Sequence, residues 1–181
     1  EVKVSDNFLI RHNIEKGIMT LVDESRQMEL IEAISSEQLK LSRKSGGSVC
    51  NSVVGAAALG ARTFFCGKVA NDQDGEFYLR DLSRAGVDFQ SRYQTAGCTG
   101  KCIVLVTEDA ERTMLTFLGA SETLSGREID TDALKKSEWF FVEGYLMTDK
   151  ERTKAIKKAV ECAKACSVRI ALSLSDPFVV E

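Results

Sequence analysis

The sequence predicts an α/β fold built on a mostly parallel sheet, with a small β excursion standing over one end of that sheet. Three observations support this prediction: a strand–helix–strand unit near the C-terminal end, a series of alternating helices and strands upstream of it, and two β-rich runs around a polar turn. The length of 181 residues suits about one domain. We therefore expect residues 1–181 to form one α/β unit.

The strand–helix–strand unit is the most regular part of the sequence. Apolar residues recur with helical spacing from Lys150 to Cys166, and lysines occupy the other face, which predicts an amphipathic helix. A continuous apolar run, Glu138–Glu143, comes before this helix, and an alternating run, Ser167–Leu174, comes after it. Because a strand, a helix and a strand at this spacing form a parallel pair, we expect both strands to be buried under helices.

The upstream part of the chain repeats this alternation. Small residues predict a helix over Val49–Leu59, and the aromatic pair Phe64–Phe65 marks a buried strand over Ala61–Val69. Amphipathic spacing predicts a second helix over Asp72–Ala85, which Gly86 follows as glycine commonly follows a helix end. These elements are expected to add to the same parallel sheet.

The β excursion begins where the alternation of helices and strands stops. The runs Lys101–Thr107 and Thr113–Leu118 are rich in β-forming residues, and the short polar turn between them predicts a hairpin. Ile18–Val22 is a candidate for a further strand of the same small sheet. The excursion is therefore predicted to contain strands at about residues 14–23 and 97–120.

Composition and charge exclude several classes of function. Lysine and arginine number 24 against 27 aspartate and glutamate residues, so the net charge is −3 and no basic excess indicates a nucleic-acid partner. No run of about 18 apolar residues predicts a membrane span, and the first residues do not resemble a secretory signal. We expect a cytoplasmic protein without a nucleic-acid or membrane partner.

Six cysteines raise the question of a metal or redox site. Cys98 and Cys102 have C-x3-C spacing, as do Cys162 and Cys166, whereas metal sites usually use tighter pairs or add histidines, and His12 is the one histidine. Reduced, buried thiols of a cytosolic protein are the favoured interpretation. A redox or metal-binding protein is the alternative, and it would require bound metal or a reactive thiolate.

A glycine pair before a helix carries the most chemical information. Gly46 and Gly47 precede the helix of small residues, and they allow backbone amides to approach a ligand closely. Asn51, one turn into the helix, offers both a donor and an acceptor. The pattern is neither a Walker loop nor the dinucleotide-binding G-x-G-x-x-G. The alternative is structural: the glycines form a turn, and Ser48 caps the helix.

Further motifs surround the glycine pair in a fixed order. They are Leu59-Gly60, Gly67-Lys68-Val69-Ala70-Asn71-Asp72-x-x-Gly75, Leu82-x-x-Ala85-Gly86-Val87, Thr99-Gly100-Lys101-Cys102, Ala110-Glu111-Arg112-Thr113, Glu143-Gly144-Tyr145-Leu146 and Ser173-x-Ser175-Asp176-Pro177-Phe178. The set closely resembles the PfkB-type, ribokinase-like kinases, nearest the adenosine-kinase-like branch. The resemblance implies a three-layer α/β/α sandwich with a small β-sheet lid. It also implies transfer of a phosphoryl group from ATP, with Mg²⁺, to a primary hydroxyl of a sugar or nucleoside.

The resemblance also implies which residues bind the acceptor. Gly46, Gly47, Ser48 and Asn51 match the segment that contacts the sugar, where glycine amides and a side-chain amide pair with adjacent hydroxyl groups. Because the family's lid closes over the sugar, the β excursion is expected to exclude water from the reaction.

Four more residues match positions of the lid and of the base pocket. Arg112 matches an arginine that approaches the transferred phosphate, although a solvated charge at the hairpin is an alternative. Met114, Thr116 and Phe178 match residues that line the base pocket, although ordinary strand and core packing would explain them equally well.

The chain departs from the family pattern in three places. The glycine-rich D-T-x-G-A-G-D segment, which supplies the general base and the anion hole, is absent from residues 1–181, and so is the N-x-x-E motif associated with Mg²⁺. We expect the general-base aspartate beyond Glu181 and the opening G-N-x-x-x-D strand just before Glu1. The chain is then an incomplete kinase domain that lacks the C-terminal ATP-binding part, and it should be inactive alone.

Two further functions remain open at this point. The chain could be a non-catalytic sugar- or nucleoside-binding domain, or a module that forms a homodimer through its lid. A D-T-x-G-A-G-D segment further along the full-length protein would favour the kinase over both.

Overall fold

The computed structural model describes residues 1–90, 94–175 and 179. In chain order its helices and strands are β1 (Val2–Lys3), α1 (Asp6–Arg11), β2 (Met19–Leu21), α2 (Glu24–Ser36), α3 (Ser48–Ala58), β3 (Thr63–Phe65), β4 (Val69–Ala70), α4 (Gln73–Arg84), β5 (Val87–Phe89), β6 (Gln94–Thr95), β7 (Thr99–Val106), β8 (Arg112–Gly119), α5 (Thr131–Lys135), β9 (Trp139–Glu143), α6 (Lys150–Ala165) and β10 (Arg169–Ser173).

The β excursion forms a four-stranded sheet in the order β1-β7-β8-β2. β7 and β8 make the predicted antiparallel hairpin, with Ile103 opposite Leu115. β2 runs parallel to β8 at its outer edge, which confirms the predicted third strand. β1 was not predicted, and it runs parallel to β7 with Val2 opposite Leu105. The sheet therefore joins the first residues of the chain to its middle.

One face of the four-stranded sheet carries a closed hydrophobic core. The short helix α1 and the helix α2 cover that face, and the core contains Phe8, Leu30, Ile103, Leu105 and Leu115, all buried. Burial alternates along β7 and β8 as side chains alternate between the two faces of a strand. The opposite face of this sheet is consequently the open one.

The remaining strands pair in parallel, as the sequence predicts, but within the described residues they form three two-stranded sheets and not the single sheet that we expected. β3 pairs with β5, β4 with β6, and β9 with β10. The helix α6 lies between β9 and β10 in the chain, and its first turn is capped by Asp149, whose carboxylate accepts from Glu151 N (2.9 Å) and Arg152 N (3.0 Å). The strand–helix–strand unit is therefore present with nearly its predicted bounds.

The burial expected for these strands is only partly present. Val142 of β9 is buried, but Leu172 of β10 is 53% exposed. The aromatic pair Phe64–Phe65 of β3 is half-buried. β9 and β10 form a sheet of two strands, so within the described residues each has one unpaired edge, and the prediction that both strands are buried is wrong.

The predicted strand over Ala61–Val69 is in fact two short strands, β3 and β4. Between them the chain turns toward the segment that follows β8. The Lys68 ammonium pairs with the buried carboxylate of Glu128 (2.9 Å) and also donates to Thr123 O (2.9 Å). The Cys66 thiol donates to Glu128 O (2.6 Å). These side-chain partners explain the interruption of the strand.

The cysteines differ from expectation in their exposure. All six are free, but Cys50 is the one that is fully buried, whereas Cys66, Cys102 and Cys166 are exposed. Across the described ranges, no three histidine, cysteine or acidic side chains gather closely enough to hold a metal ion. In those same ranges, no helix has both the length and the apolar character needed to cross a membrane.

Candidate functional site

The glycine loop, residues 45–48, leads directly into α3. Gly47 has φ of +102°, in the region that favours glycine, so a side chain at this position would strain the backbone. A Cβ atom placed on Gly46 would meet nothing within 4 Å. The outer side of the loop therefore faces open space, and a ligand can approach its backbone.

Two side chains of α4 hold the inner side of the glycine loop. The Asp81 carboxylate accepts hydrogen bonds from Ser45 N (3.1 Å) and from the Ser45 hydroxyl, which lower the pKa of Asp81. The Tyr78 hydroxyl donates to Gly46 O (3.2 Å). Because these bonds come from a regular helix, they set the shape of the loop before any ligand binds.

The N-terminus of α3 lacks a side-chain cap. Gly47 occupies the capping position and makes no side-chain hydrogen bond, so the structural interpretation of Ser48 as the cap is wrong. Asn51 donates its backbone N–H to Gly47 O (2.9 Å), and its exposed carboxamide makes no hydrogen bond to the residues that the structure describes. The first turn of α3 thus has uncapped backbone donors and, at Asn51, an exposed amide without a hydrogen bond to the described residues.

Glu143 is a candidate site residue that the sequence analysis names only as part of the Glu143-Gly144-Tyr145-Leu146 motif. It ends β9, and α3 packs against this strand. Its half-buried carboxylate has no hydrogen-bond or ion-pair partner in the described part of the chain, and burial raises its pKa. The carboxylate also lies close enough to Tyr78 to help burial raise the pKa of that phenol. An acidic residue that ends an apolar strand was the signal that could have identified it.

The predicted lid residues lie on the open face of β8. Arg112, Met114 and Thr116 alternate with the buried Thr113 and Leu115, so they share the face opposite to the hydrophobic core. This placement is compatible with contact to a ligand.

The contacts of these three side chains differ. The Thr116 hydroxyl donates to the Cys102 sulfur (3.3 Å) on β7. The exposed Arg112 guanidinium has no partner within residues 1–90, 94–175 and 179. Phe178 lies outside the described residues.

The structure thus places the predicted site residues in two groups. Gly46, Gly47, Ser48 and Asn51 meet at the start of α3, while the three β8 residues share one sheet face. Among the described residues, no hydrogen bond or ion pair joins one group directly to the other.

The N-terminus of α4 anchors the four-stranded sheet. The Asp72 carboxylate caps α4 through Gly75 N (2.7 Å) and accepts from Thr99 N (2.8 Å) and the Thr99 hydroxyl (2.6 Å). Burial opposes ionisation of Asp72, but these hydrogen bonds outweigh it and lower its pKa. A Cβ atom on Gly75 would lie 2.2 Å from Ala70 O, so the Asn71-Asp72-x-x-Gly75 motif has a structural role here.

Comparison with known proteins identifies the family of this arrangement. A family model described as the pfkB family carbohydrate kinase matches residues 17–180. An adenosine kinase from Sinorhizobium meliloti is 36% identical in sequence, and the structural match covers 98% of this chain and 54% of that chain with a TM-score of 0.86. A probable sugar kinase protein from Rhizobium etli CFN 42 is 32% identical, covering 98% of this chain and 53% of that chain with a TM-score of 0.86.

A curated relative extends the comparison to other acceptors. The 5-dehydro-2-deoxygluconokinase of Halalkalibacterium halodurans is 28% identical over 160 residues, which cover 86% of this chain and 46% of the relative. The chain spans about half the length of this relative and of the two solved kinases. The predicted ribokinase-like α/β fold and the resemblance to PfkB-type kinases are confirmed by these matches.

Proposed function

Because the chain belongs to the pfkB family of carbohydrate kinases, we propose that the whole protein transfers the γ-phosphoryl group of ATP to a primary hydroxyl of a sugar or nucleoside. The observation that carries this proposal for the chain itself is the glycine loop, which is open on its outer side and held by α4 on its inner side. Such a loop offers backbone donors in a fixed arrangement to a neutral, hydroxyl-rich ligand.

The residues around the loop match the chemistry of adjacent hydroxyl groups. The Asn51 carboxamide can donate to one hydroxyl oxygen and accept from another, and the Glu143 carboxylate can accept from a third. Both groups are without a protein partner in the part of the chain that the structure describes. An acceptor that lacked one of these hydroxyls would leave a polar group unpaired in the closed site, which disfavours its binding.

The open face of β8 supplies the second side of the acceptor site in this proposal. Met114 and Thr116 contact the base of a nucleoside or the outer face of a sugar. Phe178 lies outside the described residues and is assigned to the base pocket on the family resemblance alone. Arg112 approaches the phosphoryl group during transfer. Met114 is half-buried and lies opposite Met19 of β2. Because both side chains are apolar and flexible, they favour a nucleoside base as the part of the acceptor that this face contacts.

The reaction requires groups that this chain does not supply. The acceptor oxygen forms a bond to the γ-phosphorus as the bond to the β–γ bridging oxygen breaks, and the hydroxyl proton passes to a general base. The sequence holds no D-T-x-G-A-G-D segment. Within the described ranges no three histidine, cysteine or acidic side chains gather around one point, and we assign no metal-dependent step to this chain. Its own residues bind and orient the acceptor and exclude water.

A non-catalytic role is the second candidate. Every group placed at the site faces the acceptor, which would also suit a domain that only binds a sugar or nucleoside. Ile18, just before β2, and Leu21 of β2 are 42% and 56% exposed, which would suit a homodimer formed through the four-stranded sheet. Phosphate transfer from ATP by the full-length protein would support the kinase over both of these non-catalytic roles.

The test is the Asn51→Ala variant of the full-length protein, with adenosine, ribose, fructose and other nucleosides as acceptors. Loss of a hydrogen bond to an uncharged hydroxyl costs about 0.5–1.5 kcal/mol, so KM for the acceptor should rise about 2- to 13-fold while KM for ATP changes little. Asn7→Ala, an exposed asparagine in α1, is the matched control. Equal changes in both KM values would contradict the placement of Asn51 on the acceptor side.

A further inference from the structure

One acidic side chain at the start of α4 binds cations from two distant parts of the chain. The Asp74 carboxylate pairs with the Lys101 ammonium of β7 (2.9 Å) and with the Arg43 guanidinium, which precedes the glycine loop. The Arg43 guanidinium also lies over the Phe77 ring of α4, 4.7 Å from its centre. A bridge of three charges therefore joins the four-stranded sheet to the segment that enters the glycine loop.

We propose that Asp74 and Lys101 are positioning residues, which set the orientation of the four-stranded sheet over the glycine loop and so the affinity for the acceptor. This inference rests on the proposed function, because it concerns the alignment of the two groups of site residues. Neither side chain belongs to the acceptor site described above.

Lys101 is placed to act through the sheet rather than on a ligand. It occupies the face of β7 that also carries the buried Ile103 and Leu105, opposite to the face of Met114 and Thr116. Lys101 O also accepts from the buried Gln27 side chain (2.8 Å), which ties this point of β7 to α2 as well. A change at the Lys101 ammonium therefore leaves the surface that faces the acceptor unaltered.

Two points of attachment fix an orientation that one point cannot. Asp72 holds the first residue of β7, Thr99, by two hydrogen bonds. The backbone of Glu1, next to β1, also pairs with Ser42 (2.9 and 3.1 Å), but Thr99 alone would leave the sheet free to pivot relative to α4. Lys101 lies two residues further along the same face, and its bond to Asp74 on the first turn of α4 supplies the second point. Because Tyr78 and Asp81 of this helix hold the glycine loop, α4 sets the position of both halves of the site.

The expected size of the effect follows from the exposure of the pair. The Lys101 and Asp74 side chains are 35% and 28% exposed, and partly exposed ion pairs shift an equilibrium by up to about five-fold. The full effect should fall on acceptor binding, because the hydrophobic core of the sheet remains intact without the bridge. Global stability should change little.

The test compares three variants of the full-length protein. Lys101→Met removes the charge and keeps most of the side-chain length, Lys101→Arg keeps the charge, and Lys3→Met is the control, an exposed lysine in β1 of the same sheet. We expect Lys101→Met to raise KM for the acceptor about two- to five-fold with kcat and the melting temperature close to those of the control. Lys101→Arg should restore KM.

Two kinetic outcomes would overturn the proposal: a Lys101→Met variant that matches Lys3→Met in KM, or a Lys101→Arg variant as impaired as Lys101→Met. Amide hydrogen exchange over residues 99–106 without any ligand gives a second, independent measurement. Faster exchange in Lys101→Met than in Lys3→Met supports the bridge even if the wild-type protein transfers no phosphate. Equal exchange overturns it, whereas a wild-type protein without activity overturns only the kinase assignment.

Discussion

The four-stranded sheet and the β9–α6–β10 unit bury their apolar side chains to very different extents. In the first region, Phe8, Leu30 and Leu105 are at most 1% exposed beneath α1 and α2. In the second region, Leu172 is 53% exposed and lines a groove along α6, and Leu174, just after β10, is 58% exposed. The comparison shows that the region bearing the predicted lid residues has a complete core of its own, whereas the parallel strands leave apolar surface for other residues to cover.

The largest expected effect concerns the chain of 181 residues assayed by itself. It should show no detectable transfer of phosphate from ATP to sugars or nucleosides, because the anion hole and the general base are expected elsewhere. One anion-hole donor is typically worth about 10²–10³-fold and a general base about 10²–10⁴-fold in rate. The measurement is a phosphate-transfer assay beside the full-length protein, with light scattering to detect self-association through the exposed strands.

Turnover comparable to that of the full-length protein would show that the comparison misses catalytic groups within this chain. The base would then have to be found among its own acidic residues, namely Asp72, Asp74, Glu143 and Asp176. Asp72 and Asp74 already hold protein partners, which leaves Glu143 as the first residue to test among those that the structure describes.

A smaller effect tests the difference in burial directly. Leu30→Ala should lower the free energy of unfolding by about 2–5 kcal/mol, because Leu30 is fully buried between α2 and the sheet. Leu172→Ala should lower it by no more than about 0.5 kcal/mol, since much of its side chain is already in water. Urea denaturation of the 181-residue chain with each substitution measures both losses of unfolding free energy. Equal losses would mean that β10 is covered in solution, for instance by a second copy.

The smallest expected effect is a pH dependence at the anchor of the four-stranded sheet. The folded-state pKa of Asp72 is below its ordinary value of 3.8, so its stabilising contribution is fully present above that value and is lost as pH falls through the folded pKa. Asp72→Asn should lose about 1 kcal/mol of stability at neutral pH and show a shallower decline in melting temperature below about pH 4.

Asp132→Asn is the control for this pH effect. Asp132 is an exposed residue of α5 outside both regions, and its contact with Lys135 is a surface ion pair at 3.9 Å. Its decline in melting temperature between pH 7 and pH 3 should follow that of the wild-type protein. If the melting temperatures of Asp72→Asn and the wild-type protein decline in parallel, Asp72 does not contribute to the loss of stability at acid pH.

Long periodic segments of the fold could be predicted from sequence, and short or non-local ones could not. The helices α3, α4 and α6 and the hairpin of β7 and β8 have nearly their predicted bounds, since each carries its own repeat of apolar residues. β1 has two residues, and its partner lies about a hundred residues away, so no local pattern indicates it. The helix α2 was not predicted, although its sequence carries the signal: Asp23 caps a segment whose apolar residues recur at helical spacing.

The candidate site divides in a similar way. The glycine pair and Asn51 stand out in sequence because glycines before a helix have a recognisable chemistry. The contacts that hold the glycine loop, Asp81 to Ser45 and Tyr78 to Gly46, join segments over thirty residues apart and carry no local pattern. The exposure of Cys66, Cys102 and Cys166 could not be predicted either. The number of cysteines indicates the redox state of the compartment, and it does not show how deeply each side chain is buried.

The pairing of β1 with β7 has a consequence during synthesis. Val2 pairs with Leu105, and at roughly 5–20 residues per second the ribosome exposes the partner strand about 5–20 s after β1. Throughout that interval Phe8, Leu9 and Leu30 have no sheet to pack against. This apolar segment should therefore stay unpacked for those seconds, and its core should form only after the β7–β8 hairpin has been made.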